Sequence, residues 1–406
     1  MRKISLILVC IVTGIQVLNA QSGFQQDFEE FSGIIEKNYA YLDKKEIDWQ
    51  RVYNYYLPQS KEIKSKEEFV RFLEKVCNEL YDAHVSLNVN LASSNRLIPS
   101  GSDLLIEKID RSFFVKDCRY LSAAYYAGLR PGTEIISYNG LAIEQQLLQF
   151  LPRTVSSYNE TMISYAANML LAGTHDRTRK ITVRKGQKLT DYFPDGFKST
   201  FDGRLISSKW VDSGVVLLRV GNSLSNYELV EAFDKELDKY LQAQAIILDL
   251  TETASGGNTV NARAILGRFT DMRYPYQVHE RDEKEFGTTR FWMEYITPRK
   301  CPYLGRLYVM VGPWTGSMGE GIAIGFDALK NASIVGTRMA GLLGAIEKFT
   351  LPYSKISFQI PTERILHVNL QPREDFLPAY LTDNLESTIM KIGELLNIKN
   401  REWYFK

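Results

Sequence analysis

Apolar residues recur at helical spacing in the first part of the chain. The clearest run consists of Phe69, Phe72, Leu73, Val76 and Leu80. Ser65 and Glu68 stand before this run with the spacing of a capping box, which predicts where the helix begins. We therefore predict a small helical domain over residues 21–95, whose last helix ends near Tyr81.

The pattern changes over residues 96–190. Here the sequence predicts a short helix of small residues stopped by Gly128, then a Pro131-Gly132 turn, a strand and an Asn139-Gly140 hairpin turn. This order resembles the helix–turn–strand signature of PDZ domains, which typically bind an extended peptide as an added strand at a sheet edge. Lys180–Arg184 is predicted to be the last strand, and residues 191–212 are predicted to be a linker.

Strands and helices alternate over residues 213–398, which favours parallel pairing with right-handed crossovers. The predicted strands are Val215–Val220, Ala245–Leu250 and Leu307–Val311. The predicted helices cover Leu229–Leu241, Val260–Phe269 and Ser317–Lys330. The fold class is therefore α/β in a multidomain α+β chain, with a helical bundle and a PDZ-like β domain before a layered α/β core.

The first residues have the pattern of an export signal. Arg2 and Lys3 precede the apolar run Ile4–Leu18, and Ala20 offers a small residue for cleavage. A membrane anchor or a lipidated Cys10 are the alternatives, but the run is short for a spanning helix. We predict a signal peptide over residues 1–20 and no transmembrane span in the mature chain. The protein would then reside in the periplasm, on the outer membrane or outside the cell.

Composition and charge exclude several classes of function. The 406 residues are 45% hydrophobic and 24% charged, as in soluble globular proteins, and the net charge is only +1. A nucleic-acid binder usually carries a basic excess, so we expect no nucleic-acid partner. The three cysteines after the signal, Cys77, Cys118 and Cys301, have no spacing typical of a disulfide framework or metal site.

A serine follows the third predicted strand of the core. Ser317 lies in the loop Gly312–Gly321, at the start of a predicted helix. The amino end of a helix favours developing negative charge, and its free amides can donate to an oxyanion, so Ser317 is a candidate nucleophile. The alternative is that Ser317 only caps the helix, which is the commonest role of such a serine.

A double glycine follows the second predicted strand. Gly256 and Gly257 end the stretch Leu248–Asn258, where they allow a sharp turn that presents backbone amides to a ligand. Glycines are common in such turns, so this loop is a weak signal when it is taken alone.

Together, the two loops and the PDZ-like segment resemble the carboxyl-terminal processing (tail-specific) serine peptidases, and more closely their tricorn-core-like branch. The resemblance covers nearly the whole mature chain and implies a core related to the ClpP and crotonase folds. The family loop reads Asp-Leu-Arg-x-Asn-x-Gly-Gly, whereas this chain has Thr251 in place of the Arg and Thr253 in place of the Asn. The loop is also one residue longer, so the resemblance implies an oxyanion hole formed by Met318 and either Gly256 or Gly257.

The family suggests two candidates for the general base. One branch uses a lysine in a Gly-Lys-Gly turn, but the corresponding turn here, Gly341–Gly344, has no lysine, and Lys348 beyond it is predicted to be a surface residue. The other branch uses a histidine in a Leu-x-Asp-x-His motif, which Leu80–His84 matches. We favour His84 over a purely structural role for this histidine.

The family also implies an acidic residue near the end of the chain that orients the histidine. Glu374 is the nearest match, with Asp375 or a plain ion pair with Arg373 as alternatives. Glu320 lies one helical turn after Ser317, and the sequence assigns it no role.

Two functions are compatible with these residues. The first is an exported serine endopeptidase that acts on polypeptides, near their carboxyl ends, through a Ser–His(–Glu) acyl-enzyme mechanism without metal or organic cofactor. Its substrates would bind through the PDZ groove and the core cleft. The second is an inactive binding protein that retains the peptidase fold and holds a peptide or an apolar ligand. The altered loop after Asp249 favours the second function, whereas Ser317 and His84 favour the first.

Overall fold

The structure is a computed structural model that describes residues 23–201, 203–330, 332–400 and 402–404. The predicted signal peptide lies outside the described residues. The fold class is the predicted one, a mixed α/β multidomain chain, and its strands form three sheets. None of the helices in the described residues is both long and apolar enough to cross a membrane.

The described residues begin with three helices. They are α1 (Gly23–Asn38), α2 (Trp49–Ser60) and α3 (Lys66–Asn78). Ser65 caps α3 as the sequence predicts, because its side chain accepts a hydrogen bond from the Glu68 N–H. Aromatic side chains fill the space between the helices, and the Phe28 and Phe72 rings meet edge to face at 5.1 Å. The short strand β1 (Ser86–Leu87) follows.

The second unit has the predicted helix–turn–strand order around a six-stranded sheet. Its elements are β2 (Leu104–Ile109), β3 (Ser112–Cys118), α4 (Ala123–Ala127), β4 (Glu134–Tyr138), β5 (Leu141–Ala142), α5 (Ile143–Leu147), α6 (Glu160–Ala172), β6 (Ile181–Lys185) and β7 (Lys188–Tyr192). Gly128 ends α4 in a left-handed conformation with φ 97°. Asn139 and Gly140, both with positive φ, turn β4 into β5 as predicted. β6 is followed by β7, so Lys180–Arg184 is not the last strand of this unit.

The third unit is the core, which contains a six-stranded sheet and four strands of a further sheet. Its elements are β8 (Ile206–Asp212), β9 (Val215–Val220), α7 (Glu228–Asp238), β10 (Ala245–Asp249), α8 (Thr259–Leu266), β11 (Tyr274–Glu283), β12 (Thr288–Ile296), β13 (Arg306–Val311), α9 (Met318–Leu329), β14 (Ala332–Gly336), β15 (Ala345–Thr350), β16 (Ser357–Leu366), β17 (Tyr380–Leu381) and α10 (Leu385–Leu396). The six-stranded sheet has the order β17-β14-β13-β10-β9-β8. The pairs from β9 to β17 are parallel, as the alternation of strands and helices predicts. β8 joins the edge antiparallel, so the predicted linker contains a strand of the core.

A further sheet connects the helical unit to the core. Its order is β1-β16-β11-β12, with β15 also paired to β16. The strands β11, β12 and β16 are not predicted from the sequence. Their hydrophobic signal is weak because many of their side chains are charged and form ion pairs across the sheet, such as Arg364 on β16 with Glu280 on β11 and Arg281 on β11 with Glu347 on β15. The pairing of Ser86 with Gln359 fixes the segment just after His84 to the core.

The PDZ-like unit contacts both loops that the sequence analysis singles out. Arg119 forms a 2.9 Å ion pair with Glu252 in the glycine loop. Trp314, in the serine loop, donates its indole N–H to the Ser102 carbonyl at 3.0 Å. The unit is therefore packed against the two turns of the core that carry the candidate chemistry.

Candidate active site

Ser317 lies at the carboxyl edge of the parallel sheet, between β13 and α9. It occupies the N-cap position of α9 with φ 51° and ψ −108°. Ordinary N-cap residues have extended backbone, and a non-glycine residue in the positive-φ region is strained. Ser317 is partly exposed while its neighbours Gly316 and Met318 are buried. Ser317 and Glu320 form a capping box, but the positive φ distinguishes Ser317 from an ordinary capping serine and presents its hydroxyl at a helix amino end.

The glycine loop packs directly on Ser317. Gly256 has φ 63°, and a Cβ there would lie 2.5 Å from the Ser317 Cβ and 3.2 Å from the Met318 N. Thr253 and Thr315 form a parallel bridge that holds the two loops together. Only glycine fits at position 256, because any side chain would displace the serine.

The two glycine amides have different partners. The Gly256 N–H donates to the Thr253 carbonyl at 3.0 Å, within the turn. Within the described parts of the chain, the N–H groups of Gly257 and Met318 have no hydrogen-bond acceptor. Gly257 must also be glycine, since a Cβ there would lie 2.2 Å from the Leu224 carbonyl oxygen. Of these backbone amides, those of Gly257 and Met318 therefore remain without an acceptor in the described residues.

His84 lies in a turn that its own motif builds. The Asp82 carboxylate accepts hydrogen bonds from the His84 N–H at 2.9 Å and from the Tyr39 hydroxyl at 2.7 Å. The imidazole is buried, and its Nδ1–H donates to the Leu343 carbonyl at 2.6 Å. Burial lowers the pKa of the His84 ring below its usual value. The ring is therefore neutral near pH 7, with its proton on Nδ1 and a lone pair on Nε2.

The carbonyl that binds His84 belongs to the Gly341–Gly344 turn. Arg373, which is buried, donates from Nη2 to the Leu342 carbonyl at 2.6 Å and to the Gly344 carbonyl at 3.0 Å. This turn stands where one branch of the family has its lysine. The Lys348 side chain lies further along, on β15, and is exposed as predicted.

Glu320 joins the turn to the serine. Its carboxylate is fully buried and accepts three backbone N–H bonds, from Ser317 at 2.7 Å, Gly341 at 2.9 Å and Leu342 at 3.2 Å. Burial raises the pKa of Glu320 to about 7, against the opposing effects of Arg373 and these N–H donors. The only signal of this role in the sequence is the spacing of three residues from Ser317.

Two family models match this chain. The model of the tricorn protease C1 domain matches residues 21–78, and the model of peptidase family S41 matches residues 214–374. Together they account for more than half of the chain, and their boundaries fall on the helical unit and on the core that carries Ser317. The chain belongs to peptidase family S41. This is a family of serine peptidases, which are hydrolases.

Solved structures share the fold over nearly the whole S41 chain. The photosystem II D1 C-terminal processing protease is 15% identical, with a TM-score of 0.58 over 90% of this chain and 96% of that one. Mature CPAF is 14% identical, with a TM-score of 0.61 over 92% and 95%. A lipoprotein from Streptococcus agalactiae is 13% identical, with a TM-score of 0.52 over 95% and 100%. No curated protein sequence matches this chain.

The departures from the S41 loop pattern have a structural counterpart. Asp249 is fully buried and accepts hydrogen bonds from the Thr251 hydroxyl at 2.6 Å, the Arg219 Nε at 2.8 Å and the Tyr404 hydroxyl at 3.0 Å. Thr251, which stands where the family pattern has arginine, binds this aspartate through its hydroxyl. A guanidinium, that of Arg219, reaches Asp249 from β9. Arg219 is not predicted from the sequence, because it is distant from Asp249 along the chain.

Glu374 lies in a short turn of 3₁₀ helix, Arg373–Asp375. Its Oε1 accepts a hydrogen bond from Lys44 Nζ at 3.1 Å. The acceptor on His84 Nδ1 is the Leu343 carbonyl. The orienting role of Glu374 therefore stays a prediction, and it requires the Leu343 carbonyl to leave Nδ1. In this structure it is the neighbouring Arg373, rather than Glu374, that contacts the Gly341–Gly344 turn, together with Glu320 and His84.

No group of three or more His, Cys, Asp or Glu side chains in the described residues is placed to hold a metal ion. The groups at the site are a hydroxyl, an imidazole, a buried carboxylate and free backbone amides. These are the parts of an acyl-transfer site.

Proposed function

We propose that this S41 chain is an active, exported serine endopeptidase that hydrolyses polypeptides near their carboxyl ends. The observation that carries the proposal is the strained Ser317 backbone, against which Gly256 packs, together with the amides of Gly257 and Met318, which have no acceptor in the described residues. Export rests on the signal pattern of residues 1–20, and a mature N-terminus near Gln21 in the exported protein would support it.

In the proposed reaction Ser317 is the nucleophile and His84 the base. His84 Nε2 takes the hydroxyl proton while Ser317 Oγ attacks the peptide carbonyl, and the Gly257 and Met318 amides donate to the oxyanion that forms. The amide C–N bond then breaks, and the amine leaves with the proton from His84. Water, deprotonated by the same ring, releases the acyl group and restores the serine.

The proton transfer requires close contact between the two side chains. A general base must come within ~2.6–3.2 Å of the group from which it takes a proton. The hydrogen bonds of the described residues do not include one between His84 and Ser317, and such contacts often tighten only in the substrate complex. The link in this structure runs from His84 through Leu343, its turn and Glu320 to Ser317.

Labelling with a fluorophosphonate tests whether Ser317 is activated. We expect the wild-type chain to form a covalent adduct, because the amides at positions 257 and 318 stabilise the phosphonyl oxygen as they would an acyl oxyanion. Mass spectrometry should place the adduct on Ser317, and Ser317→Ala should not react. A folded wild-type chain that remains unlabelled would favour the second function, an inactive binding protein, which the altered residues Thr251 and Thr253 support.

The PDZ-like unit bears on how a polypeptide reaches the site. β2 is the edge strand of its sheet, which is where an extended peptide would add. Val115, which faces Ile106 in the register, turns its own N–H and carbonyl toward Gly132 and Thr133. The Ile106 N–H and carbonyl therefore point to the free edge, and the Asn168 side chain on α6 binds both, at 2.9 and 3.1 Å. We propose that Asn168 occupies the place of a substrate backbone and that a peptide adds only when α6 releases this edge.

Replacing Asn168 should open that edge. We expect Asn168→Ala to lower KM for long polypeptides several-fold without changing KM for short peptides, because the substrate no longer competes with the Asn168 side chain for Ile106. Asn95→Ala is the matched control, since Asn95 binds the Met169 carbonyl and so holds the same helix without touching β2. A KM for long polypeptides that is unchanged or higher in Asn168→Ala would show that the edge does not bind substrate.

A further inference from the structure

Glu320 offers an inference about how the site is assembled. A buried carboxylate is costly unless hydrogen bonds compensate it, and three backbone N–H groups converge on this one. Its exposed fraction is 0%, so it does not reach a substrate. Any effect of Glu320 on the reaction must therefore act through the backbone groups that it binds.

The first of these groups is the backbone of the nucleophile. The Ser317 N–H donates to Glu320 Oε2 at 2.7 Å. Ser317 is held at φ 51°, a conformation that persists only when its surroundings impose it. The hydrogen bond to Glu320 is one of the contacts that hold Ser317 in this conformation. Ser317 is also the residue that carries the reacting oxygen.

The other two groups belong to the turn that orients the base. Gly341 donates to Oε1, and Leu342 donates to Oε2. On the opposite side, Arg373 binds the carbonyls of Leu342 and Gly344. Leu343 lies between these fixed residues, so its carbonyl is held in place where it accepts the His84 Nδ1–H at 2.6 Å.

We propose that Glu320 is a positioning residue that sets the nucleophile and the base of the reaction relative to one another. The proposal rests on the proposed peptidase function. One carboxylate fixes the Ser317 backbone and, through the Gly341–Gly344 turn, the ring orientation and tautomer of His84. A carboxylate suits this role because both of its oxygens accept. A glutamine would turn an N–H₂ group toward at least one of the three backbone donors.

The test compares two buried carboxylates that bind backbone donors. In Glu320→Gln, we expect kcat to fall about 10²-fold with KM within about twofold of wild type, since misplacement of reacting groups affects turnover more than substrate binding. The matched control is Asp27→Asn. Asp27 is also fully buried and accepts two backbone N–H bonds, from Tyr353 and Ser354, but in the helical unit. The control should lose thermal stability and keep its kcat.

A second measurement does not depend on turnover. In the Ser317→Ala background, nuclear magnetic resonance of isotope-labelled histidines reports which nitrogen of His84 carries the proton. The chain has only four histidines, so loss of one signal in His84→Gln assigns it. We expect a single Nδ1–H tautomer in the parent and in Asp27→Asn, and a mixture of tautomers when Glu320→Gln is added. If Glu320→Gln does not fold, Glu320→Asp, whose shorter side chain cannot span the same donors, takes its place.

The outcomes separate this proposal from the function on which it rests. An unchanged His84 signal in Glu320→Gln, or an equal change in Asp27→Asn, would overturn the positioning role. A wild-type chain that hydrolyses nothing but whose His84 signal responds as stated would overturn the peptidase activity and still support the link from Glu320 to His84.

Discussion

Replacing either Ser317 or His84 by alanine is expected to lower kcat about 10⁴- to 10⁶-fold, and the double variant should be little worse than either single one. Groups that act as a unit show this non-additivity, because the loss of one leaves only oxyanion stabilisation and binding. The measurement is kcat on one peptide for the two single variants and the double variant, with thermal unfolding to confirm that each is folded.

Lys348→Ala is the matched control for the base. Lys348 is exposed on β15 and should be dispensable. An inactive Lys348→Ala variant together with an active His84→Ala variant would contradict the proposed triad and indicate a serine–lysine dyad.

Activity should also fall as the pH is lowered, since the base must be neutral. Burial lowers the pKa of His84 and raises that of Glu320 to about 7. Since the neutral imidazole and the Glu320 carboxylate are the active forms, kcat/KM should rise with pH through about 7 and reach its plateau on the alkaline side of that value.

Gly256→Ala is expected to abolish hydrolysis. Its Cβ would lie 2.5 Å from the Ser317 Cβ and 3.0 Å from the Ser317 Oγ, so the serine or the glycine loop must move. A shift of about 1 Å in a reacting group can cost ~10²-fold, and here the nucleophile and the adjacent oxyanion amides would shift together. The measurement is the rate of fluorophosphonate labelling together with kcat.

Gly287→Ala separates the steric effect from backbone strain. Gly287 has φ 61°, close to the 63° of Gly256, but a Cβ there would meet nothing within 4 Å. Both substitutions cost about 1–2 kcal/mol of stability for the left-handed conformation. Only Gly256→Ala should lose activity, and a Gly256→Ala variant with normal turnover would show that Gly256 does not shape the site.

The sequence predicts those parts of the fold whose signal is local. The strand Val215–Val220 is predicted with its bounds, because a buried parallel strand is a continuous apolar run. The turn at Asn139-Gly140 is predicted because few residue pairs adopt two positive φ angles. The sheet that contains β11, β12 and β16 is not predicted, because its charged side chains are stabilised by cross-strand partners that a single strand does not reveal.

The same limit applies to the site. Ser317 and the two glycines lie in loops whose residue types already suggest chemistry. The rest of the site depends on groups that the sequence does not mark. Arg219 contacts Asp249 from a distant segment of the chain. The Leu343 carbonyl and the three N–H donors to Glu320 are backbone groups. Backbone groups are the same in every residue, so no side-chain pattern marks the carbonyl that accepts from His84.

The attachment of His84 has a consequence for how the protein becomes active. The hydrogen bond from His84 to Leu343 spans 259 residues, and β1, just after His84, is completed only by β16 near the other end of the chain. Contacts between such distant segments form late in folding, because they close the longest loops. Under the proposed mechanism, a newly made chain therefore carries its nucleophile without an oriented base until these distant segments have joined. Activity would then begin only once this long-range contact has formed.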